Sequence, residues 1–202
     1  LNTDTRLDVS FTDNFRELTL VQGEAFFEVA KDPLRPFIVE VDTTHVQAVG
    51  TQFNINKRRE IIEVTVLEGK VRVSEASAPQ SPKWVTDLVQ GEQVITPSLS
   101  RELSPETDHF FQKQNPRSLK AILSWRDNKL IFDHRNLNDV IEDFNRYNDL
   151  TLTLASPDLN HIKVSGTFNP NDPESFAQSM VTIANIRAEK TKDGHIIFYK
   201  TP

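Results

Sequence analysis

Apolar and polar residues alternate over much of the first hundred positions. Arg6 to Phe11, Glu17 to Val21, Ala25 to Val29, Ile61 to Leu67 and Val71 to Val73 place an apolar side chain at every second residue. That is the period of a strand with one face on a core. The pentapeptide LVQGE occurs at Leu20 to Glu24 and again at Leu88 to Glu92, and VLEGK lies at Val66 to Lys70. Each sets one glycine between two strand-like runs, so Gly23, Gly69 and Gly91 are expected to be tight hairpin turns or bulges. From Ser98 to Arg117 the alternation stops and Pro105 and Pro116 appear. This stretch reads as a linker, with Phe110 and Phe111 docked on a folded part of the chain.

The last 75 residues change period. Leu130 and Phe132 suggest a short strand, and Leu137, Val140, Ile141, Phe144 and Tyr147 then form a helical stripe that Asn136 can cap. Leu150 to Leu154 and Ile162 to Phe168 read as strands. Asp172-Pro173-Glu174 opens a second helix, buried through Phe176, Met180, Val181 and Ala184. Ile186 to Lys190 and Ile196 to Tyr199 pair as a hairpin across Lys192-Asp193-Gly194. Two helices on one side of a small mixed sheet is the economical packing of this order. The expected architecture is a mainly β, antiparallel domain of sandwich or β-roll type over 1–98, a linker and short helix over 99–125, and a small α+β domain (βαβ-βαββ) over 126–202.

Composition narrows the function. The 202 residues carry 23 Lys and Arg against 29 Asp and Glu, a net charge of -6, and neither half of the chain is basic. Nucleic acid is therefore not an expected partner. The longest apolar run is four residues, Ile196 to Tyr199, far short of the roughly 18 needed to cross a bilayer. The absence of cysteine removes disulfides, thiol catalysis and Cys-ligated zinc. His45, His109, His134, His161 and His195 are at least 25 residues apart, with no i, i+4 pair. No metal or cofactor is expected, and no nucleotide loop or serine-hydrolase elbow is present. The chain starts at Leu1 without a signal pattern, and is expected to be a piece of a longer protein.

The stretches LVQGEAFFEVA, PFIVEV, VQAVGTQFNI, VTVLEGKVRV, LVQGEQV and WRDNKLIFDHRNLNDVIEDFNRYND recur in this order over nearly the whole chain. Together they resemble the periplasmic region of the FecR family of iron-uptake sigma regulators, transmembrane anti-sigma proteins of Gram-negative bacteria. The C-terminal part is similar to the secretin and TonB short N-terminal domain. The resemblance implies a non-enzymatic sensor in the periplasm, anchored to the inner membrane through an upstream helix. Its implied partners are the N-terminal signalling domain of an outer-membrane TonB-dependent siderophore transducer and the periplasmic and intramembrane proteases that relay the signal. A sigma factor would be reached only through a cytoplasmic segment that this sequence lacks, and no small-molecule substrate is implied. The alternative from another class is an extracellular β-rich carbohydrate-binding or carbohydrate-processing protein, which needs exposed aromatics or a close carboxylate pair.

Two sites follow. In some members of the family, a Gly-Thr bond in the stretch matching Val46 to Phe53 is cut without a protease. The residues implied here are Gly50, whose carbonyl lacks a shielding Cβ, and Thr51, whose hydroxyl is the nucleophile. From the dipeptide alone, Gly50-Thr51 reads as a bulge or bend between strands. His45, the nearest histidine, lies roughly 20 Å away along an extended strand and could act as base only if the chain folds back. For partner contact the expected surface is an exposed sheet edge at His195, Ile196, Ile197, Phe198 and Tyr199, although the alternation of Ile196 and Phe198 fits an internal strand as well.

Overall fold

The computed structural model describes residues 1–59, 61–76, 82–98, 110–113 and 116–201, in two compact units, Leu1–Leu119 and Lys120–Pro202. His109 and most of the expected linker lie outside the described residues.

The first unit is built from strands that follow the alternating pattern. In chain order they are β1 (Arg6–Phe11), β2 (Arg16–Glu28), β3 (Phe37–Val41), β4 (Thr44–Ala48), β5 (Gln52–Lys57), β6 (Ile61–Glu68), β7 (Lys70–Ala76), β8 (Pro82–Val89), β9 (Glu92–Pro97) and β10 (Phe110–Lys113). They form a ten-stranded sheet in the order β10-β9-β6-β5-β2-β3-β4-β7-β8, with β1 beside β2. Every pair is antiparallel except β2 with β3.

Strand β2 serves both halves of the sheet. Arg16 to Thr19 pair with β3, whereas Gly23 to Glu28 pair with β5. Gly23 therefore lies inside one strand and no hairpin turn forms there; the bulge half of the expectation fits, since the pairing with β1 slips beside it, Arg6 facing Gln22 and Leu7 facing Leu20. The φ of Gly23 is +88°, and a Cβ there would lie 2.4 Å from Thr5 Oγ1 and 2.5 Å from the Asp4 carbonyl oxygen. The N-terminal segment crosses at this point, and only a bare backbone leaves it room. The sheet curls back on itself: Thr44 of β4 and Thr96 of β9, far apart in strand order, bring their hydroxyls within 3.3 Å. Inside lie the alternating residues of both halves, including Val39, Val46, Phe53, Ile55, Val64 and Val73, all fully buried. Phe27 stacks on Phe53 with ring centroids 5.0 Å apart, and Phe37 meets both edge-on. A further difference from the sequence expectation is β10, whose four residues pair with β9 inside the expected linker.

Helix α1 (Pro116–Ile122) runs across the boundary between the units in sequence, and a 3-10 turn (Ser124–Asp127) follows. The second unit then reproduces the expected order: β11 (Leu130–Asn136), α2 (Leu137–Asn145), β12 (Leu152–Leu154), β13 (Lys163–Phe168), α3 (Pro173–Ala184), β14 (Ile186–Lys190) and β15 (Ile196–Lys200). The strands divide into two sheets, β11-β13 and β12-β15-β14, where one sheet was expected. Helix α2 packs on strands of both sheets, burying Leu137, Val140, Ile141 and Phe144. A helix with apolar contacts on two sides holds two small sheets more economically than one. Phe144 stacks on Phe176 of α3 at 4.3 Å, and Phe132, Phe168 and Phe198 extend the aromatic core.

The helix caps divide. Asp172 accepts a hydrogen bond from the Ser175 amide at 3.0 Å, as its place before Pro173 predicts. Asn136 makes no side-chain cap; its Oδ1 accepts from Lys163 Nζ instead, and the Leu137 amide donates to the Ile162 carbonyl. Tertiary neighbours supply that cap.

Candidate functional site

Gly50 and Thr51 form the corner between β4 and β5. Gly50 has φ +65° and the chain bends there, so the bond lies at a sharp change of direction. Three elements fix this corner. The Val29 amide, just past β2, donates to the Thr51 carbonyl at 2.9 Å. Lys31 packs so closely that a Cβ on Gly50 would lie 3.0 Å from its Cβ. On the β6 side, the register pairs Gln52 with Glu68, which sets Thr51 opposite Gly69 of the β6–β7 bend.

Thr51 is 3% exposed, and its Oγ1 is buried with no hydrogen-bond partner among the described residues. A buried hydroxyl in that state costs about 1–3 kcal/mol, so it is a small store of strain. Chemically it is a nucleophile with no competing bond, attached one residue past an unshielded carbonyl. Among the described residues no base is bonded to it. His45 points away from the core, because its strand neighbours Thr44 and Val46 are buried while its own side chain is 38% exposed. Its Nε2 lies 3.5 Å from Glu40 Oε1 on the outer face, and β4 stays extended to Ala48, so the chain does not fold His45 back onto Thr51.

The second expected site needs a correction in its geometry. Strand β15, with His195 immediately before it, is the centre of the three-stranded sheet. It pairs in parallel with β12 and antiparallel with β14. Ile196 and Phe198 are buried in the core, and Ile197 and Tyr199 are half-exposed on the other face. Both backbone edges of Ile196, Ile197 and Phe198 are occupied, so no edge is free there. The internal-strand alternative describes what is found. Among the described residues no group of three His, Asp or Glu side chains is arranged to hold a metal.

Lys31 and Gly69, which close the Gly50-Thr51 corner, were not singled out as site residues from the sequence. The VLEGK motif marked Gly69 as a turn, but its register opposite Thr51 is a long-range property that no local signal carries.

Residues 1–72 match the family model described as FecR protein, a span that contains Gly50, Thr51 and Gly69. Two crystal structures, at 1.65 and 2.50 Å, each described as a candidate anti-sigma factor from Parabacteroides distasonis ATCC 8503, are similar to the chain over its whole length. Both are 26% identical, covering 100% of this chain and 89% of the other, with TM-scores of 0.80 and 0.77. Residues 1–72 are thus similar to FecR proteins, and the whole chain is similar to these two anti-sigma structures. No curated protein sequence matches the chain. The anti-sigma likeness extends through the C-terminal unit, which the FecR model does not reach. Among the described residues no helix is long and apolar enough to cross a membrane.

Proposed function

We propose that this chain is the periplasmic signalling region of a transmembrane anti-sigma regulator. It binds the N-terminal signalling domain of an outer-membrane TonB-dependent siderophore transducer and relays the signal to a sigma factor through proteolysis by periplasmic and intramembrane proteases. The observation that carries this reading is the whole-length likeness to an anti-sigma factor, joined to the FecR match over the first 72 residues. The C-terminal unit, similar in element order to the secretin and TonB short N-terminal domain, is the partner-binding part.

Within that sheet, β15 has no free edge and β12 is held on one side by Asn145, whose side chain bonds both the amide and the carbonyl of Leu152. Strand β14 is the remaining edge, and a partner strand pairs there. Titrating the labelled protein with an isolated transducer signalling domain tests this. Amide signals of Ile186 to Lys190 shift if the reading holds, and an absence of binding rejects it.

The Gly50-Thr51 bond is cut once, by the protein itself. The Thr51 hydroxyl attacks the Gly50 carbonyl carbon, the C–N bond breaks, and the nitrogen takes the hydroxyl proton to become an amine. Water then hydrolyses the resulting ester, returning the Thr51 hydroxyl and leaving a Gly50 carboxylate. The buried hydroxyl, with no hydrogen-bond partner among the described residues, supports this step. The strands on either side remain paired to β3, β7, β2 and β6, so the two pieces stay together. Denaturing electrophoresis with N-terminal sequencing finds a fragment that begins at Thr51, and Thr51→Ala abolishes it; a single intact band under all conditions of expression rejects self-cleavage.

A further inference from the structure

We infer that Gly69 is a positioning residue for the Thr51 hydroxyl, an inference that rests on the self-cleavage reading. Gly69 is the single residue between β6 and β7, which pair with other strands and not with each other, so it is a sharp bend with φ +84° where a hairpin turn or bulge was expected. A Cβ there would lie 3.0 Å from Thr51 Cγ2, 3.1 Å from the Gly50 carbonyl oxygen and 3.4 Å from Thr51 Cα. All three atoms belong to the two residues that react. The bend thus sets its bare backbone against the peptide to be cut.

The consequence for the hydroxyl follows from the shape of threonine. A β-branched side chain has few χ1 wells, and its methyl and hydroxyl must take different ones. Seating the methyl against Gly69 withholds that well from Oγ1, which is left buried and without a hydrogen-bond partner among the described residues. The Gly50 carbonyl oxygen is packed by the same bend, so the nucleophile and the electrophile share one support. Fixing both partners in advance removes orientational entropy from the attack. A side chain at position 69 would have to push the reacting groups away by a few tenths of an ångström, besides straining its own backbone.

Gly194 supplies the control. It has φ +83° in a turn of the second unit, and a Cβ there meets nothing within 4 Å. Gly194→Ala therefore carries the same backbone strain without the contact.

The test uses the whole chain, made by cell-free synthesis so that the uncut form is seen first. The rate at which the fragment beginning at Thr51 appears is followed by intact mass, with and without hydroxylamine, which opens an ester but not an amide. Gly69→Ala is expected to slow the reaction about 100-fold, and hydroxylamine does not restore it because the ester is not reached. Gly194→Ala leaves the rate unchanged. Thr51→Ser keeps the hydroxyl but removes the methyl that Gly69 seats, and is expected to slow the reaction as well. A wild-type chain that never cuts overturns self-cleavage and this inference with it. A wild-type chain that cuts, beside a folded Gly69→Ala that cuts equally fast, overturns the positioning role alone. Should Gly69→Ala fail to fold, Thr51→Ser decides: a rate equal to or above that of the wild type overturns the role, and a slower one supports it.

Discussion

The hydroxyls of Thr44 and Thr96 lie 3.3 Å apart in the interior of the first unit, joining strands β4 and β9 that share no ladder and are 52 residues apart. Both residues are 1% exposed. Removing one hydroxyl strands the other without a partner, whereas removing both leaves an apolar contact. Thr44→Val and Thr96→Val are each expected to lower unfolding free energy by about 1–3 kcal/mol, and the double variant by much less than the sum. Chemical denaturation of the four proteins checks this, and strict additivity would refute the pairing.

Lys57 is bonded close to the same closure, to Asp42, whose other carboxylate oxygen accepts from the Ser98 hydroxyl. Its ammonium donates to Asp42 Oδ1 at 2.6 Å and to the Val21 carbonyl at 2.9 Å, and the pair is mostly shielded, with side-chain exposures of 19% and 13%. Lys57→Met leaves the Asp42 carboxylate without that cation. The expected loss is about 1–3 kcal/mol, between the values for exposed and fully buried pairs. A melting temperature indistinguishable from that of the wild type would count against it.

Asp87 reports on the outer face of β7 and β8. The Arg72 guanidinium, bonded at 2.9 Å, and then the Lys70 ammonium hold its carboxyl down at about 2, from an ordinary 3.8. Because the folded value is the lower one, the stabilisation is fully present above about 3.8 and is lost as pH falls through about 2. Carbon-detected titration of the Asp87 carboxyl should give that low midpoint, and Arg72→Gln should move it upward.

Ile197 separates the observed strand order from the expected one. It pairs with Thr153 on one side and Glu189 on the other. Proline removes an amide and breaks a ladder, so Ile197→Pro is expected to unfold the second unit. Ile197→Lys, on the half-exposed face, is expected to fold. Circular dichroism distinguishes the two, and a folded proline variant would contradict the central position of β15.

Much of this was legible locally. The alternation at Glu17 to Val21 and Ile61 to Leu67, the stripe from Leu137 to Phe144 and the Asp172-Pro173 helix start each rest on neighbours within a few positions, and each appears where the pattern set it, whereas Tyr147 falls just past the end of its helix at Asn145. The site was legible in part. The AVGTQF match pointed to Gly50 and Thr51, but the bonding state of the hydroxyl and the approach of Gly69 and Lys31 were not readable.

The sequence alone determined which residues alternate, which stripe is apolar and where backbone without a side chain is needed, because period and chirality act over one or two turns of chain. Only the tertiary structure decided that Gly23 lies inside one strand, that Phe110 to Lys113 joins β9, and that β15 lies between two neighbours. The physical reason is that strand pairing joins residues far apart along the chain: any extended segment offers the same amides and carbonyls on both edges, and the packed core selects which of them meet.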